Sequence, residues 1–306
     1  MVSNNKIIVI MGVTGTGKSR LSIDLATRFF PSEIINSDKM QVYRGLDITT
    51  NKIPEEQRLG VPHHLLGEFD SEDGELTQSE FRKLASKAIE NIATRNKLPL
   101  IVGGSNSFIH ALVSNSESSN ESESSEFEFD SVCTSELLRY RCCFLWIDVT
   151  LPVLYEYLVR RVDDMFDSGM LDELSEFYNS GEGGELTRRV GIKKAIGVAE
   201  LTRYFRCNSP RSCSASVGDG EGMDVVGERM LFEEAVENIK CNTCKLAKRQ
   251  LGKIQRLRSA GWDLHRVNAT EVFREALLCD SGMSREMWER DIVKPSAKIV
   301  KRFLES

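Results

Sequence analysis

Eight residues near the N-terminus have the types and spacing of a loop that binds phosphate. The pattern G-x-x-x-x-G-K-[ST] is matched at each specified position by Gly12, Val13, Thr14, Gly15, Thr16, Gly17, Lys18 and Ser19. An apolar run over residues 6–11 predicts a buried strand before the loop, and helical spacing of apolar residues predicts a helix over residues 20–30. Backbone N–H groups and a helix N-terminus would then favour an anion at one point. A glycine-rich turn without a ligand is the alternative.

Two side chains of this loop add specific chemistry. Lys18 carries a mobile positive charge, and Ser19 offers a hydroxyl oxygen to a magnesium ion. The sequence therefore predicts Mg²⁺ as the cofactor of a phosphate-binding site, with Ser19 as its protein ligand.

A carboxylate follows the second predicted strand. That strand covers residues 33–36, and Asp38 lies just beyond its carboxyl end. Ligands of open α/β sheets bind at this edge, beside the phosphate loop. Asp38 is therefore predicted to hold magnesium through water or to accept a proton from a nucleophile. A solvated loop acid is the alternative.

Histidine and cysteine pairs are candidates for metal ligands. His63 and His64 are adjacent on an extended segment and must point to opposite sides, which favours a structural or substrate-lining role. Cys241 and Cys244 have the spacing of a zinc knuckle, but the chain has no second such pair. We interpret them as ordinary neighbours on one helix.

Basic residues occur in clusters through the second half of the chain. Most are expected to face solvent, but a polyphosphate substrate needs cations beyond the loop lysine, and one or two from each helix could reach inward. The clusters contain Arg160, Arg161, Arg188, Arg189, Lys193, Lys194, Lys245, Lys248, Arg249, Lys253 and Arg256.

The order of elements predicts an α/β fold of the P-loop NTPase type, a parallel sheet flanked by helices. Strands alternate with helices through residues 1–150, which are predicted to form the P-loop core. The Ser/Glu-rich residues 114–131 interrupt this core and are predicted to form a disordered surface insertion.

The C-terminal half is predicted to be a mainly helical annex. It covers residues 151–258, with one helix expected over residues 188–204 and a soft segment rich in Ser, Gly and Asp at 207–227. Residues 259–306 are predicted to return to the core with a last strand at 263–267 and further helices.

Composition limits the classes of function. The 306 residues carry a net charge of −6, which argues against a protein that mainly grips a nucleic-acid backbone. Eight cysteines suit a reducing compartment, and no apolar run approaches the ~18 residues of a membrane span. Residues 1–5 are too few for a transit peptide, so a cytoplasmic location is expected for the chain as written, and a plastid one only for a longer precursor. A monomer is expected.

Several segments together resemble the plant-type adenylate isopentenyltransferases, which start cytokinin synthesis and share a superfamily with the tRNA dimethylallyltransferases. These segments read GVTGTGKS, INSDKMQVYRGLDITTNK, GVPHHLLG, LPLIVGGSNSFIHAL, FLWIDV, KKAIGVAEL and IKCNTCKLAKRQLGKIQRLRSAGWDL. The phosphate loop alone is shared with many unrelated proteins. Its combination with NSDKMQVYRGLDI and GVPHHLLG is specific to dimethylallyl transfer onto adenine.

The resemblance implies a reaction and its residues. The prenyl group of dimethylallyl diphosphate would move to N6 of AMP, ADP or ATP, and diphosphate would leave. The loop and Lys18 would stabilise the leaving charge, with Thr14 and Thr16 helping to line the loop. Asp38 would accept a proton from N6, with Ser37 and Gln41 near it. Lys194, Lys248 and Arg249 would complete the phosphate contacts.

Three other functions share parts of this pattern. A tRNA dimethylallyltransferase has the same loop, acid and PHHL segment, but its substrate is a bulky polyanion, whereas this chain is acidic. A small-molecule kinase would use the loop for ATP and Asp38 as base for a hydroxyl group. A nucleotide switch is weakened by the absence of a D-x-x-G-type sensor after a third strand.

Overall fold

The structure of the chain is a computed structural model that describes residues 6–70, 74–115, 138–180, 191–208, 225–278 and 283–306. Nearly all of the Ser/Glu-rich segment 114–131 and most of the segment 207–227 lie outside these ranges, as do Arg188 and Arg189. The part of the chain that is described contains no helix long and apolar enough to cross a membrane.

Six strands form one sheet in which each neighbouring pair is parallel, which confirms the predicted fold class. The strands are β1 (Lys6–Met11), β2 (Ser32–Asn36), β3 (His63–His64), β4 (Leu98–Gly103), β5 (Arg141–Asp148) and β6 (Leu264–Asn268). Their order is β3-β2-β4-β1-β5-β6. Every residue of β1 and β4 is buried, as the continuous apolar runs require in a sheet covered by helices on both faces.

Helices connect and cover these strands. They are α1 (Lys18–Arg28), α2 (Gln78–Thr94), α3 (Asn106–Val113), α4 (Leu151–Asp167), α5 (Met170–Asn179), α6 (Thr202–Asn208), α7 (Val225–Ser259), α8 (Thr270–Leu278), α9 (Arg285–Trp288) and α10 (Lys294–Glu305). Between α9 and α10, residues Glu289–Val293 form a π-helical turn.

The predicted helix over residues 188–204 is wrong for its described part. A 3₁₀ helix at Gly191–Lys194 is followed by turns, and α6 begins only at Thr202. Two glycines explain the break, because Gly191 and Gly197 have positive φ angles of 58° and 113° that a continuing α-helix excludes.

The topology brings the candidate site residues to one edge of the sheet. Met11, the last residue of β1, pairs with Gly103 at the end of β4, and Asn36 at the end of β2 pairs with Val102. The phosphate loop, the turn after β4 and the segment that begins at Ser37 therefore leave the same edge side by side. This is the edge at which open parallel sheets bind ligands.

The last elements of the chain pack on the first strand. β6 pairs with β5 at the sheet edge. The Lys6 Nζ donates hydrogen bonds to the carbonyl oxygens of Phe303 and Leu304, at 3.1 and 2.9 Å. These carbonyls lie at the C-terminus of α10, where a cation is favourable because the helix leaves them without intrahelical partners.

A buried carboxylate at the other end of β2 is held by an arginine, a lysine and a histidine. Glu33 accepts hydrogen bonds from Arg95 Nη2 at 2.6 Å, from Lys97 Nζ at 2.9 Å and from His64 Nε2 at 2.7 Å. Burial alone would raise the pKa of Glu33, but these hydrogen bonds outweigh it and hold the pKa at about 2. The cluster ties β2 and β3 to the end of α2.

We expect Glu33→Gln to lower the free energy of unfolding at pH 7 by about 1–3 kcal/mol. Breaking a buried ion pair usually costs more, but the partners of Glu33 are partly exposed, which weakens their interaction with the carboxylate. The folded pKa lies below the unfolded value of 4.5, so the stabilisation is present above pH 4.5 and is lost as the pH falls towards about 2. Urea unfolding of the variant and of the exposed control Glu90→Gln at pH 7 and pH 3 measures this. An equal difference at both pH values would contradict the assignment.

Candidate active site

The loop between β1 and α1, residues 12–17, is held in shape by hydrogen bonds to one of its own carbonyl groups. We call this loop the nest. The carbonyl oxygen of Val13 accepts hydrogen bonds from Thr16 Oγ1 at 2.9 Å and from Lys18 Nζ at 2.8 Å. Thr16 is fully buried, so its side chain shapes the loop from inside. No side chain caps α1 at Gly17, so the helix N-terminus presents its first N–H groups to a ligand.

Gly17 cannot be replaced without moving a tryptophan. Its φ of 83° lies in the left-handed region, and an added Cβ would lie 2.7 Å from Cη2 of Trp288. Trp288 in turn donates from Nε1 to Asp24 of α1 at 2.8 Å. Trp288 of α9 therefore packs against the phosphate loop, a contact that was not predicted from the sequence.

Lys18 is a cation in a poorly hydrated position. Burial lowers its pKa to about 8, while the Asp38 carboxylate acts in the opposite direction. The nearby Arg161 guanidinium lowers it further. The amine thus loses its proton far more readily than an exposed lysine, and a dianionic ligand in the nest would restore its charge.

Asp38 stands where the sequence analysis placed it, beyond the carboxyl end of β2. Its Oδ1 accepts the N–H of Met40 at 2.9 Å, and its own N–H donates to Asn36 Oδ1 at 3.2 Å. The turn after β4 holds the segment on its other side, because Lys39 N–H donates to Ser105 Oγ at 3.0 Å. The carboxylate raises the pKa of Lys18 and of Arg161, so it lies near these two cations.

Ser37 and Gln41 flank Asp38 in different ways. Ser37 is fully buried against Gly103, and its Oγ has no hydrogen-bond partner among the described residues. Gln41 Nε2 donates to the carbonyl oxygens of Thr50 and Asn51, at 3.1 and 3.0 Å, and so fixes the following loop. Their roles towards a ligand stay predictions.

Arg161 of α4, one of the clustered basic residues, reaches inward to the phosphate loop. Its Nη2 lies 3.4 Å from Thr14 Oγ1, and its Nε is enclosed without a hydrogen-bond partner among the described residues. Burial lowers the pKa of Arg161. A usable signal was available, because Leu154, Leu158 and Val162 mark the buried face of α4 and Arg161 lies three residues after Leu158.

Gln250 of α7 is a site residue that was not predicted from the sequence. Its Oε1 accepts the N–H of Thr14 at 2.8 Å, and its Nε2 donates to the Gly104 carbonyl oxygen at 3.1 Å. It also occupies an otherwise apolar helical stripe with Ala247 and Ile254, both fully buried. A polar side chain in such a stripe is the signal that could have revealed it.

The three predicted distal cations lie in two separate parts of the structure. Lys194 forms an ion pair with Glu75, beside the 3₁₀ helix. Lys248 and Arg249 are exposed on α7, directly before Gln250. Burial lowers the pKa of Lys253, and the nearby positive charges of Lys39, Arg249 and Arg256 lower it further. A cluster of positive charge therefore borders the site on the side of Lys39.

The two histidines bond to neighbouring parts of the protein. His63 Nδ1 lies 2.8 Å from the Val61 carbonyl oxygen, and His64 Nε2 lies 2.7 Å from Glu33 Oε2. These contacts suit the structural alternative, and the substrate-lining alternative stays a prediction. Cys241 and Cys244 lie on α7 as free thiols. Among the described residues, no three His, Cys, Asp or Glu side chains are grouped to hold a metal.

A glycine-rich loop, two half-buried cations and an acid lie at one edge of a parallel sheet, which is the arrangement expected of a phosphate-binding α/β protein. The family model described as IPP transferase matches residues 41–131 and 116–256, which makes the protein a prenyltransferase. An adenylate isopentenyltransferase from Humulus lupulus is 56% identical over 303 residues, covering 97% of this chain and 89% of the relative. Adenylate isopentenyltransferase 1, chloroplastic, from Arabidopsis thaliana is 50% identical, covering 98% and 81%. The chain belongs to the adenylate isopentenyltransferase family.

Solved structures share the fold. A eukaryotic dimethylallyltransferase acting on tRNA superposes with a TM-score of 0.74 at 24% identity, covering 98% of this chain and 80% of that chain. The full-length tRNA isopentenylpyrophosphate transferase from Bacillus halodurans gives a TM-score of 0.72 at 24% identity, covering 98% and 97%. At 24% identity these similarities show a shared fold and nothing further.

Proposed function

We propose that this protein transfers the dimethylallyl group of dimethylallyl diphosphate to N6 of an adenine nucleotide and releases diphosphate, the first step of cytokinin biosynthesis. One observation carries the proposal. Lys18 Nζ donates to the Val13 carbonyl oxygen at 2.8 Å and Arg161 Nη2 lies 3.4 Å from Thr14 Oγ1, so both cations lie on the loop, and the Asp38 carboxylate is near enough to raise the pKa of each. An acid for the acceptor and a positive site for the leaving group thus lie next to each other.

The donor half uses the nest. An allylic diphosphate ionises when the negative charge that develops on its bridging oxygen is stabilised. Lys18, Arg161 and the open N–H groups at the start of α1 can supply that stabilisation. Gly12, Gly15 and Gly17 let the loop pass close to its neighbours, where side chains would collide.

Ser19 fits a magnesium ion by the chemistry of its donor. It lies exposed in the first turn of α1, and Mg²⁺ is commonly held by one or two protein oxygens together with substrate phosphates. A hydroxyl group beside the nest is therefore sufficient. When bound, the ion would neutralise charge on the diphosphate.

The acceptor half uses Asp38. The exocyclic amine of adenine is a weak nucleophile because its lone pair is delocalised into the ring. A carboxylate that accepts one N6 hydrogen orients the amine and takes its proton as the C–N bond forms. The Asp38 carboxylate accepts the N–H of Met40, and Ser105 Oγ accepts the N–H of Lys39, so that both bonds hold the carboxylate in place.

The phosphate groups of the acceptor need cations outside the nest. Lys39 and Arg249 border Asp38 and Gln250, and they belong to the cluster that acts on Lys253. We assign the nucleotide's phosphates to this side, with Lys248 beside them on α7 and Lys194 at the far end of the site. A cytoplasmic location and a monomeric state both stay predictions of the sequence.

A substrate panel tests the proposal. Purified protein is incubated with dimethylallyl diphosphate, Mg²⁺ and either AMP, ADP, ATP or unmodified tRNA. We expect a mass gain of one five-carbon prenyl group on the nucleotides, with diphosphate released in equal amount. Prenylation of tRNA alone would support the tRNA enzyme, and transfer of the γ-phosphate of ATP would support a kinase. Either result would overturn the proposal.

The rate should depend on pH through Lys18. In the enzyme without substrate the pKa of Lys18 is lowered to about 8. The value of kcat/KM for dimethylallyl diphosphate should therefore fall as the pH rises through about 8. The diphosphate restores the charge in the complex, so kcat should hold to higher pH. Initial rates between pH 6 and 10 measure both, and a flat kcat/KM would contradict the role of the lysine.

A further inference from the structure

Gln250 joins the two halves of the proposed site. It is buried on α7, and its side chain spans from the middle of the phosphate loop at Thr14 to the turn after β4 at Gly104. Asn106 of α3 donates from Nδ2 to the main-chain carbonyl oxygen of Gln250 at 3.3 Å and fixes this part of the helix. The two side-chain bonds leave one amide hydrogen of Gln250 unassigned.

The turn after β4 is shaped to admit this side chain. A Cβ added to Gly104 would lie 2.5 Å from Gln250 Nε2 and 3.7 Å from Asp38 Oδ2. The missing side chain of Gly104 therefore leaves the space in which Gln250 and Asp38 approach each other. The same turn holds the acidic segment, because Ser105 N–H donates to the Ser37 carbonyl oxygen at 3.2 Å.

The contact with Thr14 fixes the donor side. A backbone N–H in the loop is free to rotate with its peptide plane unless something holds it, and Gln250 Oε1 takes this one at 2.8 Å. Arg161 approaches the side chain of the same residue. Thr14 is thus held by two helices that lie outside the loop, and one of them also reaches the turn beside Asp38.

We propose that Gln250 is a positioning residue that sets the distance between the diphosphate in the nest and the amine at Asp38. The inference rests on the proposed function and adds a residue to it. Bond formation between two bound reactants depends steeply on their separation, and a shift of about 1 Å can lower the rate roughly 100-fold. A side chain that bonds to both halves is well suited to prevent that shift.

The proposal has a chemical signature. When the C–O bond of dimethylallyl diphosphate breaks, the electron pair leaves with the diphosphate, and the allylic cation needs a nucleophile. If N6 is out of line, a water oxygen forms the new bond and loses a proton to solvent, which yields a five-carbon allylic alcohol. The ratio of alcohol to prenylated nucleotide therefore reports alignment.

Gln250→Leu removes both side-chain bonds and tests this directly. We expect the turnover for transfer to fall about 10- to 100-fold, the dissociation constant for dimethylallyl diphosphate to stay near the wild-type value, and the alcohol ratio to rise. Thr243→Val is the matched control, because Thr243 is a buried polar residue of the same helix whose hydroxyl bonds to Ile239 within it. Thermal unfolding of both variants separates stability from alignment.

Gln250→Glu keeps the inference testable if the leucine variant does not fold. Its carboxylate can still accept the Thr14 N–H but can no longer donate to Gly104, so we expect an intermediate alcohol ratio. An unchanged ratio in both folded variants, or an equal rise in Thr243→Val, would overturn the role of Gln250. If the wild-type protein formed no prenylated nucleotide at all, the proposed function itself would have failed.

Discussion

Asp38→Asn should lower kcat for prenyl transfer by about 10²–10⁴, the usual contribution of a general base. Asparagine has nearly the same shape and its amide oxygen can still accept the N–H of Met40, so the loop keeps its position. It cannot take a proton from N6. The loss should therefore appear in kcat, and the affinity for dimethylallyl diphosphate should change little.

Rapid-quench kinetics and equilibrium binding separate these effects. Turnover is measured with saturating nucleotide, and binding of the donor is measured by calorimetry without nucleotide. Asp70→Asn is the control, because Asp70 is an exposed carboxylate that pairs with Arg44 on the surface. Near-normal turnover in Asp38→Asn would remove Asp38 from the proton transfer.

Lys18→Met should lower kcat/KM for dimethylallyl diphosphate by about 10²–10³, the cost of removing one preorganised group that stabilises a developing negative charge. The charge of Lys18 is poorly hydrated, as its pKa of about 8 indicates. Methionine has a similar length and no charge to desolvate, so the stability of the fold should not fall. Catalysis and stability should thus respond differently.

Two readouts check this prediction. The fall of kcat/KM above about pH 8 should disappear in Lys18→Met if Lys18 causes it. Thermal unfolding should give a midpoint close to that of the wild-type protein and of Lys87→Met, a variant of an exposed lysine on α2. A variant that retained the alkaline limb would show that another group titrates there.

The sequence predicted those parts of the site that follow the chain locally. The phosphate loop lies between a strand and a helix that both have clear periodicity, and Asp38 follows a short apolar run. The strand order could not be read in the same way, because β4 lies between β1 and β2, two strands that precede it in the sequence, and this order depends on contacts between distant residues. The β3 strand, only His63–His64, is too short to show the alternation of apolar and polar residues that predicts a strand.

The residues that the sequence did not assign individually to the site reach it from other elements. Arg161, Gln250 and Trp288 lie far along the chain from the loop that they contact. Each sits on a helix among apolar neighbours, so its spacing alone resembles that of a core position. Only the packing of α4, α7 and α9 on the loop shows that these side chains are directed at the nest.

The most direct test is a crystal structure with a non-ionising thiolo analogue of dimethylallyl diphosphate, Mg²⁺ and AMP. The account predicts the diphosphate in the nest, within hydrogen-bond distance of Lys18 Nζ and the N–H groups at the start of α1. It predicts adenine N6 in hydrogen-bond contact with the Asp38 carboxylate and on the same side as the prenyl carbon that reacts. A diphosphate bound elsewhere, or an N6 amine out of reach of Asp38, would contradict it.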